Sequence, residues 1–145
     1  MLGDPEAVCT RALRAAAARM DAVGEVSVLL TNDVEMRELN VQWRGIDKAT
    51  DVLSFPYSGS GIPGQPRPLG DIALGLETAK RDADLMERAF EAHVSHLLVH
   101  GFLHLLGYDH IESADAAVME PLEAGILAGL GWPDPYRTGP YGETD

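Results

Sequence analysis

Residues 90–110 read FEAHVSHLLVHGFLHLLGYDH, and the fold turns on how this stretch is placed. From Phe90 to Leu106 apolar residues fall on nearly every side of a helical wheel. A helix of that kind is buried in the middle of its domain rather than laid along one surface. Four histidines punctuate it. At 100° per residue His93, His96, His100 and His104 fall within an arc of roughly 80°. His100 and His104 are four apart, so both imidazoles leave one face about 6 Å apart and can grip one small cation. Gly107 can take the left-handed conformation that ends a helix. His110 can then approach the same ion from the side. Three nitrogens leave one tetrahedral position open, the arrangement of catalytic rather than structural zinc. A lone histidine on an apolar helix is more often a hydrogen-bonded core residue, but three at this spacing with a glycine at the turn point to a metal.

The spacing also matches the metzincin protease layout, H-E-x-x-H-x-x-G-x-x-H, at every metal position. Where that layout carries its glutamate general base, this chain has Gly101, which cannot accept a proton from water. His96, one turn before His100, is expected to orient that ligand through a hydrogen bond or to move protons. For His96 and His93 alike the alternative is a polar core residue with a local partner.

Working outward, residues 113–129 read as a last helix with Pro121 inside it, so a kink or a fresh start is expected there. The tail from Gly131 is expected to be loose beyond Tyr136. Upstream, the pattern turns helical at Glu77. Residues 70–76 (GDIALGL), 51–55 (DVLSF) and 25–31 (EVSVLLT) read as strands. Asn32 or Asp33 caps a short helix running to about Trp43. Residues 5–20, rich in Ala, Leu and Arg, form a first helix that Gly24 is expected to stop. Residues 58–68 (SGSGIPGQPRP) are a Gly/Pro-rich loop without the Lys-Ser or Lys-Thr pair of a phosphate cradle. Strands early and helices late give an α+β class, a small mixed sheet packed with helices around the central buried one. The chain has no internal repeat and no linker, so residues 1–145 are expected to form a single domain.

Composition bounds the function. The 145 residues are 46% hydrophobic and 23% charged, an ordinary globular balance. No apolar run is long enough to cross a bilayer, and the start of the chain does not resemble a secretory signal. The single cysteine, Cys9, excludes an internal disulfide, suits a reducing cytoplasm and reads as a packing residue. The net charge of −12 argues against a free-standing nucleic-acid-binding module, which would present a basic surface. Any contact with RNA would need a local basic spot, for which Arg44, Lys48 and Arg67 are candidates, or the metal, or a partner.

Three separated motifs, spread over about residues 25 to 136, resemble the YbeY family. HGFLHLLGYDH at 100–110 is similar to that family's HGxLHLxGYDH signature. Leu39-Asn40, then Trp43-Arg44-Gly45, Asp47 and TDVLSFP at 50–56 resemble its N-terminal signature, and Leu69-Gly70-Asp71-Ile72 its LGDI strand. Met119, Glu120, Glu123, Leu127, Gly131 and Pro135-Tyr136 also fit. The resemblance implies a metzincin-like fold around one zinc ion per chain. It implies a single-strand-specific endoribonuclease of ribosomal RNA maturation, at the 3′ end of 16S RNA, and of ribosome quality control. Ribosomal RNA and ribosomal proteins or ribosome-associated factors would be its partners. It also implies that Arg44 serves catalysis or RNA contact. Two departures stand out: members usually begin with an extra strand ahead of the first helix, and a plain helix former is usual at Pro121.

The mechanism expected is attack on an RNA phosphodiester by metal-bound water of lowered pKa, or metal-assisted attack by the RNA's own 2′-oxygen. Arg44 would neutralise charge on the phosphoryl oxygens; its alternative is an ion pair with Asp47 or Asp51. Asp71, Asp109 and His96 are all candidates for the proton transfers, and the residues do not separate them. Asp109 has the alternative of orienting His110. Asp51 and Ser54 are expected to fix the loop carrying Arg44. Trp43, Phe55 and Tyr108 could stack on unpaired bases, Tyr108 being nearest the metal loop, or simply pack. Two other readings stay open: a non-catalytic ribosome assembly factor with a structural metal, and a zinc hydrolase or protease, which Gly101 opposes.

Overall fold

The computed structural model describes residues 2–59, 62–108 and 113–136. His110 and Asp109, both singled out above, and the tail beyond Tyr136 lie outside the described residues. The elements run α1 (Pro5–Met20), β1 (Glu25–Thr31), α2 (Asp33–Arg44), β2 (Val52–Pro56), β3 (Pro68–Gly75), α3 (Leu76–Leu85), α4 (Phe90–Leu105) and α5 (Ser113–Gly129). The order in the sheet is β1-β3-β2, with β1 parallel and β2 antiparallel to β3. A mixed α+β fold is therefore what the chain forms.

Local chemistry explains the boundaries. Asp4 caps α1 by accepting from the Ala7 amide at 3.2 Å, with Pro5 in the first turn where a missing N–H costs nothing. Asn32 caps α2 by accepting from the Glu35 amide at 2.9 Å. The end of α1 corrects one expectation. Asp21, at φ 51°, supplies the left-handed cap instead of Gly24, because a short polar side chain tolerates that conformation. Gly24 is needed for space: a Cβ there would lie 2.6 Å from the Arg67 carbonyl oxygen and 2.6 Å from Leu69.

Pro121 neither ends α5 nor restarts it. Both Pro121 and Ala117, whose carbonyl loses its helical donor, lie on the exposed side of the helix. Water can take that carbonyl, so the proline costs less there than it would against the core.

The expectation of a central buried helix holds. α4 is covered by α1, α3, α5, β2 and β3, and Val94, Leu98, Val99 and Leu103 have no exposed surface. Burying each such side chain contributes about 1.5–3 kcal/mol, so this helix anchors the core. The sheet has two unlike faces. Ile72 and Leu74 join the main cluster with α1, α4 and α5, whereas Leu53 and Ala73 pack with Met36 of α2. Cys9 is buried in the main cluster, and burial pushes its thiol pKa up, as fits a packing residue. No helix among the described residues is long and apolar enough to cross a membrane.

Candidate metal centre

The site grows from the last two turns of α4. His104 Nε2 lies 3.0 Å from His100 Nε2, and the two rings meet edge to face with centroids 4.5 Å apart. The i, i+4 spacing thus brings two imidazole nitrogens to one point. Past Leu105, Gly107 at φ 100° turns the chain, its amide donating to the His104 carbonyl at 3.0 Å. A Cβ on Gly107 would meet nothing, so the demand for glycine there is conformational.

What holds His100 in place comes from α5. Glu123 has no exposed surface, and its Oε2 accepts from His100 Nδ1 at 2.7 Å. Its Oε1 accepts from His96 Nε2 at 2.8 Å and from the Tyr136 hydroxyl. Burial pushes this carboxyl up, but the hydrogen bonds from His100, His96 and Tyr136 outweigh it and hold the pKa at about 2. The carboxylate is therefore ionised. An acceptor at Nδ1 fixes the His100 proton on that nitrogen and leaves the lone pair on Nε2, beside His104. Burial and the bond to Glu123 raise the Tyr136 phenol, so it stays a donor.

This donor set suits a divalent cation. Two nitrogens each about 2.0–2.1 Å from one ion at a tetrahedral angle stand about 3.3 Å apart, close to the separation present here. A buried carboxylate behind one ligand is the partner that metal-binding histidines ordinarily have.

Gly101 has a packing reason as well as a chemical consequence. Ser54 Oγ donates to the Gly101 carbonyl at 3.1 Å, and a Cβ on Gly101 would stand 3.0 Å from that hydroxyl and 3.3 Å from Ile72. The glycine lets α4 lie against β2 and β3, in the place where the protease layout would put an acid.

The other sequence candidates divide. His96 joins the network through Glu123 and lies 3.3 Å from the Tyr136 hydroxyl. Ser54 reaches α4 instead of the loop after α2. Asp71 pairs with Phe55 across the ladder, one residue out of step with Ser54 and Ile72, which face α4. It therefore belongs to the opposite side of the sheet, in a groove of about 600 Å³ that Trp43, Phe55, Pro56 and Gly70 also line. Trp43 is 62% exposed, with its ring 5.7 Å from that of Phe55. A Cβ on Gly70 would meet Leu105 at 2.7 Å, so this groove and the histidine pair share one end of the sheet. Arg44 is exposed at the end of α2; Asp47, one of its expected partners, is held by Arg37. Lys48 and Arg67 are exposed too, and buried Asn40 anchors the loop after Arg44 by donating to the Lys48 carbonyl at 2.9 Å. Tyr108 packs partly buried against the main core.

Glu123 had no role assigned from sequence. Its signal was an acid on the apolar stripe formed by Met119, Ile126 and Leu127. A second group was missed altogether. Asp51, Asp82 and His93 bring one ligand atom each within 4.8 Å of one another, so they too could hold a metal ion.

Comparison with known proteins agrees with this architecture. The family described as Endoribonuclease YbeY matches residues 4–131. The chain is 55% identical over 140 residues to Endoribonuclease YbeY of Bradyrhizobium sp. strain BTAi1, covering 92% of this chain and 83% of that protein. It is 51% identical over 139 residues to Endoribonuclease YbeY of Rhodopseudomonas palustris strain BisB18, with the same coverage. The solution structure of TM1509 from Thermotoga maritima is similar with a TM-score of 0.60 at 27% identity, covering 97% of this chain and 88% of that one. With a family match over most of its length and relatives this similar, the chain belongs to the endoribonuclease YbeY family.

Proposed function

We propose that this chain is a zinc-dependent endoribonuclease that cuts single-stranded RNA in the cytoplasm. Its task would be 16S ribosomal RNA 3′-end maturation and ribosome quality control, alongside ribosomal proteins or ribosome-associated factors. The observation that carries the reading is the His100–His104 pair, two Nε2 atoms 3.0 Å apart with one ring fixed by a buried carboxylate. Family membership supports RNA as the substrate class.

His100 and His104, with His110, would hold one Zn²⁺ per chain, which when bound would supply Lewis acidity toward a phosphodiester. The chain's own groups do the rest. Glu123 keeps the His100 proton on Nδ1 and so keeps Nε2 a ligand. Arg44, exposed at the end of α2, offers a planar guanidinium that can pair with two phosphoryl oxygens at once. Lys48 and Arg67 add local positive charge that the acidic total lacks. Trp43 presents a face on which an unpaired base can stack, which a base inside a duplex cannot reach. In the cut, an oxygen nucleophile bonds to phosphorus as the bond to the leaving ribose oxygen breaks; one proton leaves the nucleophile and one reaches the leaving oxygen. His96 and Asp109 are the groups proposed for those transfers. Gly101 and its contact with Ser54 oppose the protease reading, since no acid stands there.

The test compares zinc-loaded protein with His104→Ala, prepared identically, on ribosomal RNA bearing single-stranded ends. Cleavage by the intact protein alone, abolished by a chelator, upholds the reading. Equal cleavage by both would sink it.

A further inference from the structure

One histidine of α4 takes no part in the centre at its carboxyl end. His93 is 3% exposed, and among the described residues neither of its ring nitrogens has a hydrogen-bond partner. A buried polar ring left this way is costly, so something must satisfy it. Two carboxylates converge on it from separate elements: Asp51 from the residue before β2, its carbonyl held by the Gly75 amide at 2.7 Å, and Asp82 from α3. One ligand atom from each residue lies within 4.8 Å of the other two. Three donors around a shared cation, each about 2.0–2.4 Å from it, stand roughly 3 to 4 Å from one another, so a closure of under about 1 Å would seat an ion.

The electrostatics agree. Two carboxylates turned to one point favour a cation between them, and Arg81, which Asp82 influences, is bonded to Asp33 instead. Arg88 is near enough to affect His93, but its guanidinium donates to the Pro135 carbonyl. Burial, with His96 and Arg88 adding to it and Asp51 and Asp82 opposing it, lowers the His93 pKa and favours the neutral ring that binds metals. One imidazole nitrogen with two carboxylate oxygens suits a borderline or hard divalent ion such as Zn²⁺ or Mn²⁺.

We propose that Asp51, Asp82 and His93 form a second divalent-cation site, which ties the start of β2 and helix α3 to the first turn of α4. His93 and His100 are seven positions apart, about 10 Å along the helix, so this ion is distinct from one held by His100 and His104. The site's task is to fix α4 lengthwise, and with it the histidines further along. It stands whether or not the chain cuts RNA.

The experiment counts cations on the full chain after chelation and dialysis, titrating Zn²⁺ and, separately, Mn²⁺ by calorimetry with thermal midpoints alongside. The His100→Ala/His104→Ala variant should still bind one equivalent of one of the two ions and gain thermal stability from it. Adding Asp82→Asn, a partly exposed position that should not disturb folding, should weaken that binding at least tenfold and remove the gain. If the double variant binds neither ion, or binds it equally well with Asp82→Asn, the proposal is overturned.

Discussion

The two ends of α4 carry the same residue type on the same arc and treat it in opposite ways. At the carboxyl end His96 and His100 share the buried carboxylate of Glu123, and His104 meets His100 nitrogen to nitrogen. At the amino end His93 is more deeply buried than any of them, yet among the described residues neither of its nitrogens has a hydrogen-bond partner, and a carboxylate oxygen of each of two acids lies within 4.8 Å. The difference teaches that helical spacing sets where an imidazole points, while the element packed opposite sets what it can do. α5 brings one acid placed to bond two rings. α3 and the start of β2 bring two acids, each with an oxygen within 4.8 Å of one His93 nitrogen.

The comparison can be broken most forcefully at His104. His104→Ala should reduce RNA cleavage to the level of the chelated protein while leaving the fold intact by circular dichroism; residual metal-dependent cleavage would mean that the pair is not the centre. Next in size is Glu123. Replacing it with Leu leaves the His96 and His100 donors buried without an acceptor, and a loss of about 3–5 kcal/mol in urea unfolding is expected. The milder Glu123→Gln keeps the shape and should lower metal affinity or activity about 10–100-fold, because His100 loses the partner that fixes its tautomer. An unchanged metal affinity would separate Glu123 from the centre.

Within the carboxyl end, next to His100, stands Gly101. Gly101→Ala presses a methyl group against Ser54 and Ile72, and about 1–3 kcal/mol of destabilisation is expected in the same unfolding assay. A neutral result would show that α4 can lift off the sheet, and Gly101 would then lose its packing reason. The smallest effect belongs to His93. In chelated protein His93→Leu should change stability by no more than about 1 kcal/mol, since it removes a polar ring that has no partner to lose. A loss as large as that of Glu123→Leu would put the two ends of the helix on the same footing.

Most of the architecture was legible along the chain because it depends on local rules. The bounds of α1, β1 and α5 follow from an alanine-rich run, a β-branched run and an apolar stripe, and the buried character of α4 from apolar residues on every side. The end of α1 is placed correctly by the sequence but credited to Gly24, when an aspartate earlier in the chain, Asp21, takes the left-handed turn. At Pro121 the sequence predicts a kink or a fresh start and the helix does not restart; the exposure that decides the cost of the lost hydrogen bond is not a local property. The meeting of His100 and His104, two of the three ligands proposed for the metal, was legible too: i, i+4 geometry alone joins them.

By itself, then, the sequence determined the helical face on which four histidines stand, the turn at Gly107 and the absence of a protease-type acid at Gly101. Those are matters of spacing, backbone conformation and residue identity, all local. Only the tertiary structure decided which histidine is paired and which is not. Glu123 lies 23 residues from His100, and Asp51 lies 42 residues from His93. No periodicity links positions so far apart, and hydrogen-bond reach is set only once the helices and the sheet have packed.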